Sequence, residues 1–172
     1  EQNSYVTSYI KTVGTAQTRV ADTTTGSGNS TVINSSEGVL YFEGSATNFS
    51  ASYQISLSDG SGNNRIMIYP NSETELGVRF NANASQLVAS NISVSSLSVN
   101  SKIAVRWGNG NYSLYQNGSE QFTQAIASTP IGLDKLNLSS VTETFNFKGK
   151  TKDVRVYTTA LSDAELTTLT TI

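Results

Sequence analysis

From Tyr53 to Gly118, apolar and polar residues exchange places at every second position, and Gly, Asn or Pro interrupts each run after a few residues. Period-two alternation sends neighbouring side chains to opposite faces of an extended chain, so it marks β-strands with one face in a core. Tyr53, Ile55 and Leu57 share one face, with Gln54, Ser56 and Ser58 behind them. Ile66 and Ile68 alternate with Arg65, Met67 and Tyr69, and Leu76, Val78 and Phe80 alternate with Glu75, Gly77 and Arg79. The clearest case runs from Lys102 to Gly118. There Ile103, Val105 and Trp107 alternate with Ala104 and Arg106, Gly108-Asn109-Gly110-Asn111 turns the chain, and Leu114 sits between Ser113 and Tyr115. Gly and Asn tolerate the positive φ that tight hairpin turns require. Strands at a spacing of about 8–12 residues with turn signals between them predict an all-β sandwich or barrel.

The flanking sequence extends this pattern. Residues 1–22 read as extended with a turn at Gly14, residues 23–30 as a loop, and residues 31–33 as a short strand. Residues 37–43 carry large side chains on both faces, which predicts a strand inside a sheet rather than at its edge. Further strands are expected at 86–89, 92–99, 121–125, 133–138, 144–148 and 152–157, with turns at 59–64 and 70–72. Near the end, Ser162 is followed three residues later by Glu165 within an apolar run, a capping box that predicts one short helix of about two turns. With no repeat and no linker, residues 1–172 read as a single domain. Its first residue is Glu1, so residues 1–12 are expected to be a lead-in from an upstream domain of a longer protein.

Composition removes many functions. Eleven Lys and Arg against 13 Asp and Glu give a net charge of -2, with no broad basic field for nucleic acid or an anionic membrane. No apolar run is long enough to span a bilayer, and no signal peptide is evident. The chain has no Cys and no His. Disulfides, thiolate or imidazole metal sites and Ser–His or Cys–His nucleophile pairs are therefore excluded.

Several segments carry a family resemblance. They are 8–12 with 18–22, the run Ser36-Glu-Gly-Val-Leu-Tyr-Phe-Glu43, Ser58-Asp59-Gly60 with Asn64-Arg65-Ile66, and Gly149-Lys-Thr-Lys-Asp-Val-Arg-Val-Tyr157 running into Ala160-Leu-Ser-Asp-Ala-Glu-Leu166. Their order resembles laminin-G-type (concanavalin A-like) domains of tailed-phage structural proteins and related bacterial surface proteins. The resemblance covers nearly the whole chain and is most specific in the closing strand and helix. It implies a two-sheet antiparallel jelly-roll sandwich with a concave face and one short C-terminal helix. It also implies a virion-surface or extracellular setting among other virion or surface-protein domains. Members often bind carbohydrate.

Catalysis is not expected. Retaining glycosidases need two carboxyl groups about 5–5.5 Å apart, and jelly-roll glucanases place them on one strand in a Glu-x-Asp-x-x-Glu pattern that is absent here. Glu73 and Glu75 form the nearest pair, beside a turn and without a third acid. A lyase-type site built on His is excluded, leaving Tyr69 or Tyr115 as the only bases of that kind. No cofactor is expected. The loop from Asp59 to Asn64 offers oxygen ligands for calcium but only one carboxylate; a polar turn with Asp59 in an Asx-type contact is the favoured reading, with calcium binding as the alternative.

The strand residues facing away from the core suggest a binding surface. Gln54, Ser56, Arg65, Met67, Tyr69, Arg79, Arg106, Ser113 and Tyr115 form one continuous wall if their strands are sheet neighbours. Aromatic faces stack on sugars, and forked guanidinium donors pair with carboxylates, so uronic or sialic acids suit such a wall. The candidate ligand-binding residues are Arg65, Tyr69, Arg79, Arg106 and Tyr115, with Trp107 at the rim. Trp107 shares the parity of Ile103 and Val105 and therefore also reads as core; Tyr112 carries the same ambiguity. The expected function is a non-catalytic glycan-binding or adhesion module, with a polysaccharide or cell-surface glycan as partner. The alternative is a structural spacer or decoration domain of a virion protein with no small ligand, its polar face being ordinary solvated surface or cross-strand pairs such as Arg79 with Glu75.

Overall fold

The computed structural model describes residues 27–172, which form ten strands and one helix in two antiparallel five-stranded sheets. The first sheet has the order β10(Gly149–Tyr157), β1(Gly38–Ala46), β6(Ser101–Gly108), β7(Asn111–Gln116), β8(Ser119–Ala125). The second has the order β5(Ser85–Ser93), β4(Glu75–Ala82), β3(Arg65–Ser72), β2(Ile55–Ser58), β9(Lys135–Asn137). Helix α1(Asp163–Thr170) follows β10. The readings for residues 1–22, including the 1–12 lead-in, lie outside the described residues.

The inward parity of both sheets builds one core. Leu40, Phe42, Ile103, Val105, Trp107 and Leu114 come from the first sheet, and Ile55, Leu57, Ile66, Ile68, Val78 and Phe80 from the second. Tyr112 packs edge-on between Phe80 and Phe122, joining the layers. The hairpin of β6 and β7 forms as its alternation predicts, with Val105 opposite Leu114 and Trp107 opposite Tyr112. β1 lies between β10 and β6 and is buried on both faces, as its large residues require.

Local details differ from the sequence expectation. Residues 31–33 form a turn, because the Asn29 side chain and carbonyl accept from the following amides in place of a sheet partner. β3 runs on through Pro70, with a register shift between Pro70 and Ser72 absorbing the missing N–H. In place of the two strands expected at 86–89 and 92–99 there is one, β5, which ends at Ser93, leaves 94–99 outside the sheet and has its alternation broken by a bulge opposite Phe80 and Asn81. Residues 144–148 make only isolated bridges through Asn146, although Phe147 still packs on the core. The capping box is present: Ser162 accepts from the Glu165 amide while the Glu165 carboxylate accepts from the Ser162 amide.

Candidate functional site

The register divides the expected wall between two opposite surfaces. On the outer face of the second sheet, cross-strand partners form rows. Ser58 lies beside Arg65 and Asn81, Ser56 beside Met67 and Arg79, and Tyr69 beside Gly77 and Asn91. Arg65, Tyr69 and Arg79 therefore share one face. Arg106 and Tyr115 belong to β6 and β7 of the first sheet, and their outward parity sends them to the far side of the sandwich. The single wall is thus a correction: alternation fixes inside and outside, but not which sheet supplies the outside.

The far side is covered. α1 lies against it, with Leu166 packed into a cluster of Val39, Tyr41, Ala104 and Tyr115. Arg106 Nη1 donates to Leu161 O at 3.0 Å and to Asp163 Oδ1 at 2.6 Å. That ion pair holds the Asp163 carboxyl below its ordinary value. Burial first, then the acids Glu120 and Asp163, push the Tyr115 phenol up to about 12. A cleft of ≈ 500 Å³ opens beside Arg106 against Ser162 and Asp163, but the guanidinium is already engaged by the helix. Trp107 is fully buried in the core, and its indole N–H donates to Asn34 O at 3.2 Å. Its place on the rim is also corrected, since Gly38 lies directly against the ring.

On the second sheet the positive charges stand differently. Arg65 and Arg79 have no carboxylate partner among the described residues. Glu75, expected as a cross-strand partner of Arg79, lies on the same strand β4 and accepts from Asn71 at 2.8 Å. Burial, then the charge of Arg79, hold the Arg65 guanidinium below its ordinary value, and its Nε is buried without a hydrogen-bond partner. Arg79 Nη1 donates to Val78 O at 2.8 Å and Ser90 O at 3.4 Å. Its guanidinium carbon lies 5.1 Å from the centre of the Tyr69 ring. Tyr69 is itself buried, with its hydroxyl 3.1 Å from Asn91 Oδ1. Two acceptors on this face, Asn81 Oδ1 and Gln54 Oε1, also lack partners. Like charges on one sheet face repel, and these two guanidinium groups have no counter-charge among the described residues. Sequence reasoning missed Gly77 and Asn91. A glycine inside a strand signals close approach of another group, and that signal was available at Gly77.

The loop after β2 is closed on itself. Asp59 accepts from the Ser61 amide and hydroxyl at 2.8 and 2.7 Å and from Asn64 Nδ2 at 2.9 Å. Burial raises its carboxyl, but these bonds outweigh it and the net shift is downward. Among the described residues no group of three or more His, Cys, Asp or Glu comes together, and one engaged carboxylate does not fit calcium.

Comparison with known proteins agrees with this architecture. The family profile described as the concanavalin A-like lectin/glucanases superfamily (Laminin_G_3) matches residues 45–167. A search of curated proteins returns no match. Among solved structures, the carbohydrate-binding module CBM40 of the Ruminococcus gnavus IT-sialidase superposes with a TM-score of 0.67 at 19% identity, over 87% of this chain and 95% of that one. A second structure of that module, bound to α2,3 sialyllactose, gives 0.66 at 20% identity over 87% and 94%. The SAP-like pentraxin of Limulus polyphemus gives 0.61 at 16% identity over 84% and 73%. At these identities the structural likeness establishes a shared fold, and the profile establishes the kinship: the chain belongs to the Laminin_G_3 family of the concanavalin A-like lectin/glucanases superfamily.

Proposed function

We propose that this domain is a non-catalytic carbohydrate-binding module that takes a carboxylate-bearing glycan on the outer face of the second sheet, at Arg65 and Arg79. The observation that carries the reading is the pair of guanidinium groups without a carboxylate partner among the described residues, one of them with a buried, unpartnered Nε. A sugar carboxylate offsets one of the two positive charges and makes charge-assisted hydrogen bonds of the strong class. The fold shared with a module whose structure contains sialyllactose supports sialic acid as the first sugar to try. The setting that suits such a module is an extracellular or virion surface, within a longer adhesion protein of a phage or bacterium.

Titration of the protein with α2,3-sialyllactose and with neutral lactose tests the reading. Binding is expected for the sialylated sugar alone, weakened at least about tenfold by Arg65→Ala or Arg79→Ala, the scale of a lost charged hydrogen bond. Arg106→Ala is expected to leave it unchanged. Affinity that survives both second-sheet substitutions removes this site, and failure to bind any acidic glycan returns the domain to a structural spacer role.

A further inference from the structure

We infer that Tyr69 is a positioning residue, held flat on Gly77 and anchored by Asn91, which presents the Nε–Nη2 edge of Arg79 as a rigid fork for the ligand's carboxylate. The inference rests on the glycan-binding reading and names the part of that face that does the recognition.

The geometry starts from one row of the sheet. Tyr69 of β3, Gly77 of β4 and Asn91 of β5 are successive cross-strand partners. The tyrosine side chain crosses this row, with its ring over Gly77 and its hydroxyl on Asn91 Oδ1 at 3.1 Å. A Cβ on Gly77 would collide with the ring at Cζ, Cε2 and the hydroxyl oxygen, so only glycine lets the phenol lie down. Gly77 is not among the residues with positive φ. Its role is therefore close approach rather than backbone freedom.

Arg79 stands in the adjacent row, opposite Met67 and Ala89. Its guanidinium leans over the Tyr69 ring, 5.1 Å from the centroid. Nη1 is turned down onto the carbonyls of Val78 and Ser90. That arrangement leaves Nε and Nη2, the pair of donors on one edge, with no acceptor among the described residues. A planar fork with one corner fixed to backbone and one face on an aromatic loses little freedom when it closes on a planar carboxylate. Burial raises the Tyr69 phenol and Arg79 lowers it, so the ring stays neutral beneath the cation.

Two measurements test this. The first uses the ligand-free protein: nitrogen-15 NMR of the Arg79 Nε–H group and of rotation about its Nε–Cζ bond. Slow rotation is expected in the wild type and in Tyr69→Phe, which keeps the ring. Rotation faster by at least about tenfold is expected in Tyr69→Leu and Gly77→Ala, since each removes or lifts the platform. The second is titration with α2,3-sialyllactose. Affinity is expected to fall at least about tenfold in Tyr69→Leu, Gly77→Ala and Arg79→Lys, and to hold within about threefold in Tyr69→Phe. Circular dichroism confirms that each variant is folded. Unchanged rotation in Tyr69→Leu overturns the platform even where the wild type binds. Absence of binding by the wild type overturns the functional reading itself, and the carboxylate role of the fork with it.

Discussion

Single side chains on this scaffold show where polar groups are matched and where they are not. Tyr112 is fully buried between the sheets, and its hydroxyl has no hydrogen-bond partner. Burial alone raises its phenol far above the ordinary value. An unsatisfied buried hydroxyl costs about 1–3 kcal/mol, while the ring packs equally well without it. Tyr112→Phe is therefore expected to stabilise the domain by about 1 kcal/mol, read as a higher urea midpoint with an unchanged slope. Glu43 is the contrasting case. Its carboxylate accepts from Lys152 Nζ at 2.6 Å, Asn100 Nδ2 at 3.1 Å and the Tyr41 hydroxyl at 3.2 Å. The Lys152 bond first, then that from Asn100, lower its pKa from 4.5 to about 2. A carboxyl whose folded pKa lies below its unfolded one favours the folded state only when ionised. The contribution is complete above 4.5 and disappears as pH falls towards about 2. Urea midpoints across that window are expected to fall less steeply in Glu43→Gln than in the wild type.

At the scale of elements, α1 acts as a strap over the first sheet. Leu166 is fully buried beneath it, Gly118 N–H donates to Thr170 Oγ1 at 3.0 Å, and Lys102 Nζ donates to Thr171 O at 2.7 Å. Leu166→Ala leaves a cavity among Val39, Tyr41, Ala104 and Tyr115 and is expected to cost about 2–5 kcal/mol. Ser162→Ala removes only the cap, at about 1 kcal/mol. Chemical denaturation that ranks the two in the opposite order would show that helix formation, not docking, holds the strap. The capping box made this helix legible in the sequence, because its chemistry is complete within four residues. Where the helix docks was not legible. Arg106 and Asp163 lie 57 positions apart, and nothing in either neighbourhood names the other. Parity likewise assigned Trp107 to the core and Arg65, Tyr69 and Arg79 to one outer face. It could not say that β6 and β7 join β1 while β3 and β4 join β2, because sheet membership is decided by contacts distant in sequence. Glycine gave a signal at Gly77, but only the register shows that Tyr69 is what approaches it.

For the whole molecule, the two outer surfaces are separated by the thickness of a packed sandwich, about 10 Å between sheets. On the first outer surface Arg106 pairs with Asp163, Lys152 with Glu43 and Arg155 with Asp153. The second keeps Arg65 and Arg79 unneutralised, at a cost in self-repulsion and in one unmatched buried donor. Arg79 recovers part of that cost through its bonds to the Val78 and Ser90 carbonyls, whereas Arg65 Nε has no partner; on the proposed reading the remaining cost is kept for a ligand. Arg65→Met tests this directly. The unbranched side chain fills a similar path, removes the unpartnered Nε and relieves the repulsion on Arg79. Stability is expected to rise by about 0.5–1 kcal/mol while sialyllactose binding falls at least about tenfold. Arg106→Ala is expected to do the reverse, lowering stability and leaving affinity untouched. Sites this far apart with no shared partner act independently, so in the double variant the two stability changes should add within about 0.5 kcal/mol. An Arg65→Met protein that is markedly less stable than the wild type would mean that the guanidinium holds the sheet together, and that the charge on this face answers to the fold and not to a ligand.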